Sequence, residues 1–167
     1  IYDLSKHNDS IVLGGIDLSR TGDMTAVTTL LFDTKNNKII AETMYWITKK
    51  YLDDTHKVPL KKWVERGLIR VSGKELIDYH HVADYIFSNF EKYGWKYQHI
   101  NYDSYSAVYL IEELSQMGYS KDYILIPTIQ GFKTLSIPMQ EVEADLREKR
   151  LVYQNNPVTK WCFSNVE

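Results

Sequence analysis

Hydrophobic positions first crowd together in Ile11-Val12-Leu13-Gly14-Gly15-Ile16-Asp17. A run this short and this continuously apolar predicts a β-strand buried on both faces. Arg20-Thr21-Gly22-Asp23 carries turn chemistry, and Met24 to Phe32, rich in Thr, Val and Leu, suits a second strand. Asp33-Thr34-Lys35-Asn36-Asn37 is a second turn. Ile39 to Thr48 then alternates, placing Ile39, Ala41, Thr43, Tyr45 and Ile47 on one face of a third strand. Three strands joined by short turns form an antiparallel meander.

Beyond Thr48 the spacing lengthens toward the helical period. Pro59 to Arg66 reads as a short helix, with Pro59 near its start, Leu60, Trp63 and Val64 on one face, and Gly67 as its terminator. Leu76, Tyr79, His80, Ala83, Ile86, Phe87 and Phe90 recur at helical spacing and define a longer helix that Gly94 ends. His99 to Asp103 is a fourth strand. A helix from about Ser106 to Met117 sets Ala107, Leu110, Ile111, Leu114 and Met117 inward, and Tyr123 to Pro127 makes a fifth strand. Ser136 is expected to cap a further helix with Pro138 in its first turn and Val142 and Leu146 facing the core. Leu151-Val152-Tyr153 is short and extended, and Asn156-Pro157 opens a last helix toward Asn165.

A meander followed by helix, strand, helix, strand, helix is an α/β layer pattern. It matches the ribonuclease H-like layout: a mixed five-stranded sheet, an antiparallel three-strand meander plus parallel strands, flanked by helices. In that layout the first strand is central and the fourth lies beside it, running parallel. No internal repeat or low-complexity tract interrupts the order, and 167 residues suit a single domain.

Composition narrows the chemistry. The chain is 44% hydrophobic and 25% charged, as soluble globular proteins are, and no apolar run approaches the roughly 20 residues of a membrane span. Residues 1–10 are polar and carry no signal-peptide pattern, and a start at Ile1 without Met fits a processed chain or an excised fragment. The lone cysteine, Cys162, excludes an internal disulfide and a cysteine-based zinc site, and fits a reducing compartment. Net charge is -2. A protein that only coats nucleic acid is usually basic; an enzyme holding cations in a carboxylate cluster need not be. Lys49, Lys50, Lys57, Lys61, Lys62, Arg66, Arg70 and Lys74 nevertheless fall in one stretch, relieved by Asp53, Asp54 and Glu65. They could face phosphates, but a solvated helix-and-loop surface is the plainer reading on sequence alone. The tyrosines and tryptophans could stack on bases, though packing accounts for most of them more simply.

Two aspartates stand out by position. Asp17 ends the first strand and Asp103 ends the fourth. If those strands are parallel neighbours, the carboxylates emerge side by side at one sheet edge. Like charges that close repel, and bound divalent cations remove the penalty. Mg²⁺ prefers oxygen ligands, and two such ions about 3.5–4 Å apart can activate a water and stabilise the leaving oxygen of a phosphodiester. Alone, each aspartate is as readily a turn or helix cap. Asp23 reads as a structural residue of the first hairpin, His80 as a core or boundary histidine, and Asp53-Asp54 as solvated loop residues. His80 and His81 point about 100° apart on a helix, a poor pair of metal ligands.

Gly14-Gly15-Ile16-Asp17-Leu18-Ser19 with Thr21, then Asp23-Met24-Thr25-Ala26, resembles the opening motif of the nuclease domain of phage terminase large subunits. Trp63-Val64-Glu65-Arg66-Gly67-Leu68-Ile69 with Ser72-Gly73 resembles that family's connector. Asn101-Tyr102-Asp103-Ser104-Tyr105-Ser106-Ala107 resembles its second acidic motif, with Ser104 where the family often has proline. Gln130-Gly131-Phe132 with Leu135-Ser136, and Asn155-Asn156-Pro157-Val158 through Trp161 to Ser164-Asn165, resemble its closing segments. The resemblance spans essentially the whole chain.

It implies a two-metal-ion endonuclease, dependent on Mg²⁺ or Mn²⁺, that cuts concatemeric double-stranded viral DNA during packaging in the cytoplasm of an infected bacterium. Asp17 and Asp103 would be catalytic metal ligands. A third acidic ligand is expected beyond the last motif, which suggests truncation at the C-terminus and weak activity; Glu167 is a poor substitute. Implied partners are double-stranded DNA, the terminase small subunit, the portal and an N-terminal ATPase motor domain, with no membrane. No Gly-x-x-x-x-Gly-Lys-Ser/Thr loop occurs, so ATP hydrolysis is not expected of these residues. Competing readings are a sugar-kinase or actin-like ATP-binding domain, for which Gly14-Gly15-Ile16-Asp17 would be the phosphate hairpin, and a non-catalytic docking module of a packaging complex. Resolvases and transposases share the fold, and only the closing motifs argue against them.

Overall fold

The computed structural model describes residues 2–7, 9–55, 58–104 and 107–165. Among these residues seven strands form one mixed sheet: β1 (Ile11–Asp17), β2 (Thr25–Asp33), β3 (Lys38–Ile47), β4 (Ile69–Val71), β5 (Tyr97–Asp103), β6 (Leu125–Thr128) and β7 (Leu151–Tyr153). The helices are α1 (Lys49–Asp54), α2 (Leu60–Glu65), α3 (Tyr79–Tyr93), α4 (Val108–Gln116), α5 (Phe132–Arg147) and α6 (Pro157–Ser164). The main path runs β4-β3-β2-β1-β5-β6. The meander β1-β2-β3 is antiparallel, while β5 joins β1, and β6 joins β5, in parallel. All five expected strands are present. The two additions are three-residue strands, β4 beside Tyr45–Ile47 and β7 beside Ile39–Ala41, both parallel to β3.

Strand alternation sends side chains to opposite faces, and each face has its own core. Val12, Ile16, Val27, Leu31, Ile40 and Trp46 meet α3 and α4 through Val82, Ala83, Ile86, Leu110, Ile111 and Leu114. On the other face Tyr45, Ile47 and Ile69 meet Leu52, Leu60, Trp63 and Val158 from α1, α2 and α6. This second core covers only the β3 side of its face. The middle of that face, around β1 and β5, is left open. β1 is accordingly well buried on one face alone, not on both.

Caps set the helix ends. Gly94, at φ 70, ends α3 in the left-handed conformation that glycine adopts without cost. Asn156 caps α6 by accepting from the Val158 amide at 2.9 Å, with Pro157 in the first turn as expected. Three expectations need correction. α5 starts at Phe132, a turn before Ser136, so Pro138 lies inside it; Val142 is exposed and the helix has no buried residue. The inward face of α3 is Val82, Ala83, Tyr85, Ile86 and Asn89; Leu76 precedes the helix, and Leu76, His80 and Phe90 are exposed. Asp53 and Asp54 belong to α1, where Asp53 pairs with Lys49 at 2.7 Å.

Candidate active site

The parallel pairing of β1 with β5 runs in register from Leu13 opposite His99 to Ile16 opposite Tyr102. One step further along both strands lie Asp17 and Asp103. Adjacent strands sit about 4.8 Å apart, so the two residues end the strands as neighbours. Val12, Gly14 and Ile16 point into the α3–α4 core, which leaves Gly15 and Asp17 on the open face. Gly15 is opposite Asn101, so Asn101 and Asp103 share that face. β6 adds Thr128 beside Asp103, and β2 adds Thr28 beside Gly15 and Ala26 beside Asp17.

These residues line one cavity of about 270 Å³ that contains both Asp17 and Asp103. Gln130 and Leu135, at the entry to α5, complete it. Asn101 donates its side-chain N–H to Thr128 Oγ1 at 3.0 Å, which fixes the floor between β5 and β6. The turn after Asp17 is pinned as well. Thr25 is fully buried; its hydroxyl accepts from the Ser19 amide and donates to the Ser19 carbonyl, both at 3.0 Å.

The two glycines differ in kind. A Cβ on Gly14 would lie 3.0 Å from Ile100 Cγ1 and 3.2 Å from the Tyr97 ring, so glycine there lets β1 and β5 close up over the core. A Cβ on Gly15 would meet nothing within 4 Å, because it would project into the cavity. The pair therefore packs on one face and leaves room beside Asp17 on the other.

The remaining candidates sit elsewhere. Asp23 accepts from the Met24 amide at 2.7 Å, the local hairpin role expected of it. His80 is exposed between Asp84 and Glu113, at 3.3 Å from each, and is not a core residue. The basic stretch is dispersed. Lys50 pairs with Glu75 at 3.1 Å, Arg70 lies over the Tyr85 ring at 5.2 Å, and Lys61, Lys62 and Arg66 are exposed on and just after α2. Lys57, Tyr105, Ser106 and Glu167 fall outside the described residues.

Two carboxylates offer hard oxygen donors of the kind Mg²⁺ and Mn²⁺ take. Among the described residues no group of three His, Cys, Asp or Glu side chains is placed to share an ion. The carboxylate pair thus fits part of a metal site. The cavity that holds the two aspartates also takes in Gly15, Thr28, Asn101 and Thr128, which the sequence did not single out as site residues. Strand parity could have found Gly15 and Asn101, which precede Asp17 and Asp103 by two positions on the same face.

A central β1 flanked by an antiparallel meander and by parallel β5, with acidic residues ending both central strands, defines a ribonuclease H-like domain. The whole chain, residues 1–167, matches the family described as terminase large subunit, endonuclease domain, and belongs to it. It is 25% identical over 163 residues to Protein YmfN of Escherichia coli (strain K12), covering 90% of this chain and 34% of that protein. The crystal structure of the HK97 bacteriophage large terminase superposes with a TM-score of 0.77 at 22% identity, over 89% of this chain and 31% of that one. The large terminase nuclease from thermophilic phage G20c gives a TM-score of 0.48 at 15% identity, over 88% of this chain and 60% of that one. The chain thus spans about a third of the length of YmfN and of the HK97 protein.

Proposed function

We propose that this domain is a metal-dependent endonuclease that cuts concatemeric double-stranded viral DNA during genome packaging. The observation that carries the proposal is the single cavity lined by both Asp17 and Asp103, from adjacent parallel strands. In this reading the two carboxylates hold Mg²⁺ or Mn²⁺, two ions in the complete site, with a third acidic ligand from outside the described residues. When bound, such ions supply activation of water and charge neutralisation at the phosphodiester.

The chain's own residues do the positioning. Thr25 holds the turn that aims Asp17, and the Asn101–Thr128 pair holds the floor beside Asp103. Gly15 leaves space for the phosphodiester to approach. Basic residues between Lys49 and Lys74 contribute affinity for the DNA backbone but no base specificity. In the full-length protein the domain would work with an N-terminal ATPase motor domain, the terminase small subunit and the portal, in the host cytoplasm. Among the described residues no helix is long and apolar enough to cross a membrane, and no membrane partner is proposed.

The test is conversion of supercoiled plasmid to linear DNA by the full-length protein with Mn²⁺. Asp17→Asn and Asp103→Asn should each abolish most of the cutting while leaving the thermal midpoint near that of the parent. Undiminished cutting by both variants rules out this site.

A further inference from the structure

A second cleft adjoins the segment that follows β1. Its volume is about 550 Å³, within the range of small-molecule sites. It is lined by Arg20, Leu76, Tyr79, Val108, Tyr109 and Glu113, among others. Three elements that leave the same sheet edge as the carboxylates build it. Arg20 follows β1, Leu76 follows β4, and Tyr109 stands in the first turn of α4 after β5. The Ile77 amide donates to the Arg20 carbonyl at 3.3 Å and ties two of these segments together.

Tyr109 and Val108 are 77% and 73% exposed, and Leu76 is 51% exposed, so an aromatic ring and two aliphatic groups face solvent in one groove. Among the described residues the buried Tyr79 hydroxyl has no hydrogen-bond partner, and burial pushes its titration upward against the pull of Arg20. The hydroxyl therefore stays a donor. Arg20 is exposed and supplies a cation. Two carboxylates share the cleft with it: Asp78, which caps α3 by accepting from the His80 amide at 3.1 Å, and Glu113, which contacts His80 at 3.3 Å.

Resting on the nuclease reading, we propose that this cleft receives one unpaired nucleotide of the cut strand, its base stacked on Tyr109 and its phosphate on Arg20. Arg20 is three residues past Asp17, at most about 10 Å along the chain, a span that about three nucleotides cover. A strand leaving the carboxylate cavity thus reaches the cleft by crossing the β1 terminus. An aromatic face accepts any base, so the contact holds a frayed end without reading sequence. It keeps the cut end seated after hydrolysis.

The test uses the full-length protein in EDTA, where no cutting occurs, and a duplex with a short single-stranded overhang carrying 2-aminopurine. Fluorescence quenching reports stacking, and anisotropy reports affinity. Tyr109→Ala should weaken overhang binding by about five- to hundredfold and remove the quenching, whereas Tyr109→Phe restores both. Arg20→Gln should lower the slope of log affinity against log salt by about one. Unchanged binding in Tyr109→Ala and Arg20→Gln, or no overhang binding by the parent protein, overturns the proposal. Because this readout needs no metal, it fails independently of the Asp17 and Asp103 cutting assay.

Discussion

Gly14 and Gly15 are adjacent in sequence, yet methyl groups added to them should act in opposite directions. A Cβ on Gly14 would lie 3.0 Å from Ile100 and 3.2 Å from Tyr97, both well-buried core side chains. Overpacking of that kind costs about 1–3 kcal/mol, and the lower chain entropy of alanine when unfolded returns about 0.4–1 kcal/mol. The net is a destabilisation of up to about 2.6 kcal/mol, about 1.3 kcal/mol at the middle of both ranges, so Gly14→Ala should lower Tm by roughly 3–5 °C. The same change at Gly15 meets no atom within 4 Å, so only the entropy gain remains. Gly15→Ala should raise Tm by roughly 1–4 °C. A larger side chain there fills the cavity instead of the core. Gly15→Val should keep the midpoint at or above that of the parent and still lose DNA cutting. Thermal melts by circular dichroism, with plasmid cleavage on the same samples, measure both arms. Equal destabilisation by Gly14→Ala and Gly15→Ala would refute the assignment of the two faces, and with it the open floor beside Asp17.

Other perturbations probe the surrounding frame. Gly73 has φ +72, and a Cβ there would stand 1.8 Å from the Leu76 carbonyl oxygen, so Gly73→Ala should cost more than about 3 kcal/mol in a denaturant titration, by forcing the loop before α3 to move. Thr25→Val keeps the shape but strips both hydrogen bonds from Ser19, which should cost about 1–3 kcal/mol and weaken Mn²⁺ binding by calorimetry through a loosened turn after Asp17. Burial pushes the Glu42 carboxyl upward, with Lys92 opposing. The folded state then holds that proton more tightly than the unfolded chain, and stability falls as pH rises through the folded value. Glu42→Gln should accordingly raise Tm at pH 7 and leave it unchanged well below the ordinary glutamate range.

The fold was legible where local chemistry and burial agreed. Gly94 and Asn156-Pro157 marked helix ends because the left-handed cap and the side-chain cap are local devices. The β1 and β5 runs gave the strands that carry Asp17 and Asp103, and the α/β order placed them side by side. β4 and β7 were not legible as sheet members, since three residues carry no period and their pairing depends on where β3 lies. Pro138 and Ser136 suggested a helix start, yet α5 begins a turn earlier. The helix is solvent-exposed, so the carbonyl freed by the proline is open to hydration. His80 shared a stripe with Tyr79 and Phe87, but the α3 face that meets the sheet is turned toward Val82 and Ile86, which leaves His80 to Asp84 and Glu113. The cavity floor was out of reach because Thr28, Asn101 and Thr128 come from three strands that only the register brings together.

Crystals of the full-length protein soaked in Mn²⁺ bear most directly on whether Asp17 and Asp103 act as one centre. Anomalous diffraction should show manganese coordinated by oxygens of both side chains, and the signal should vanish in Asp17→Asn. Manganese bound to neither aspartate, or to one with the other turned away, would contradict the account.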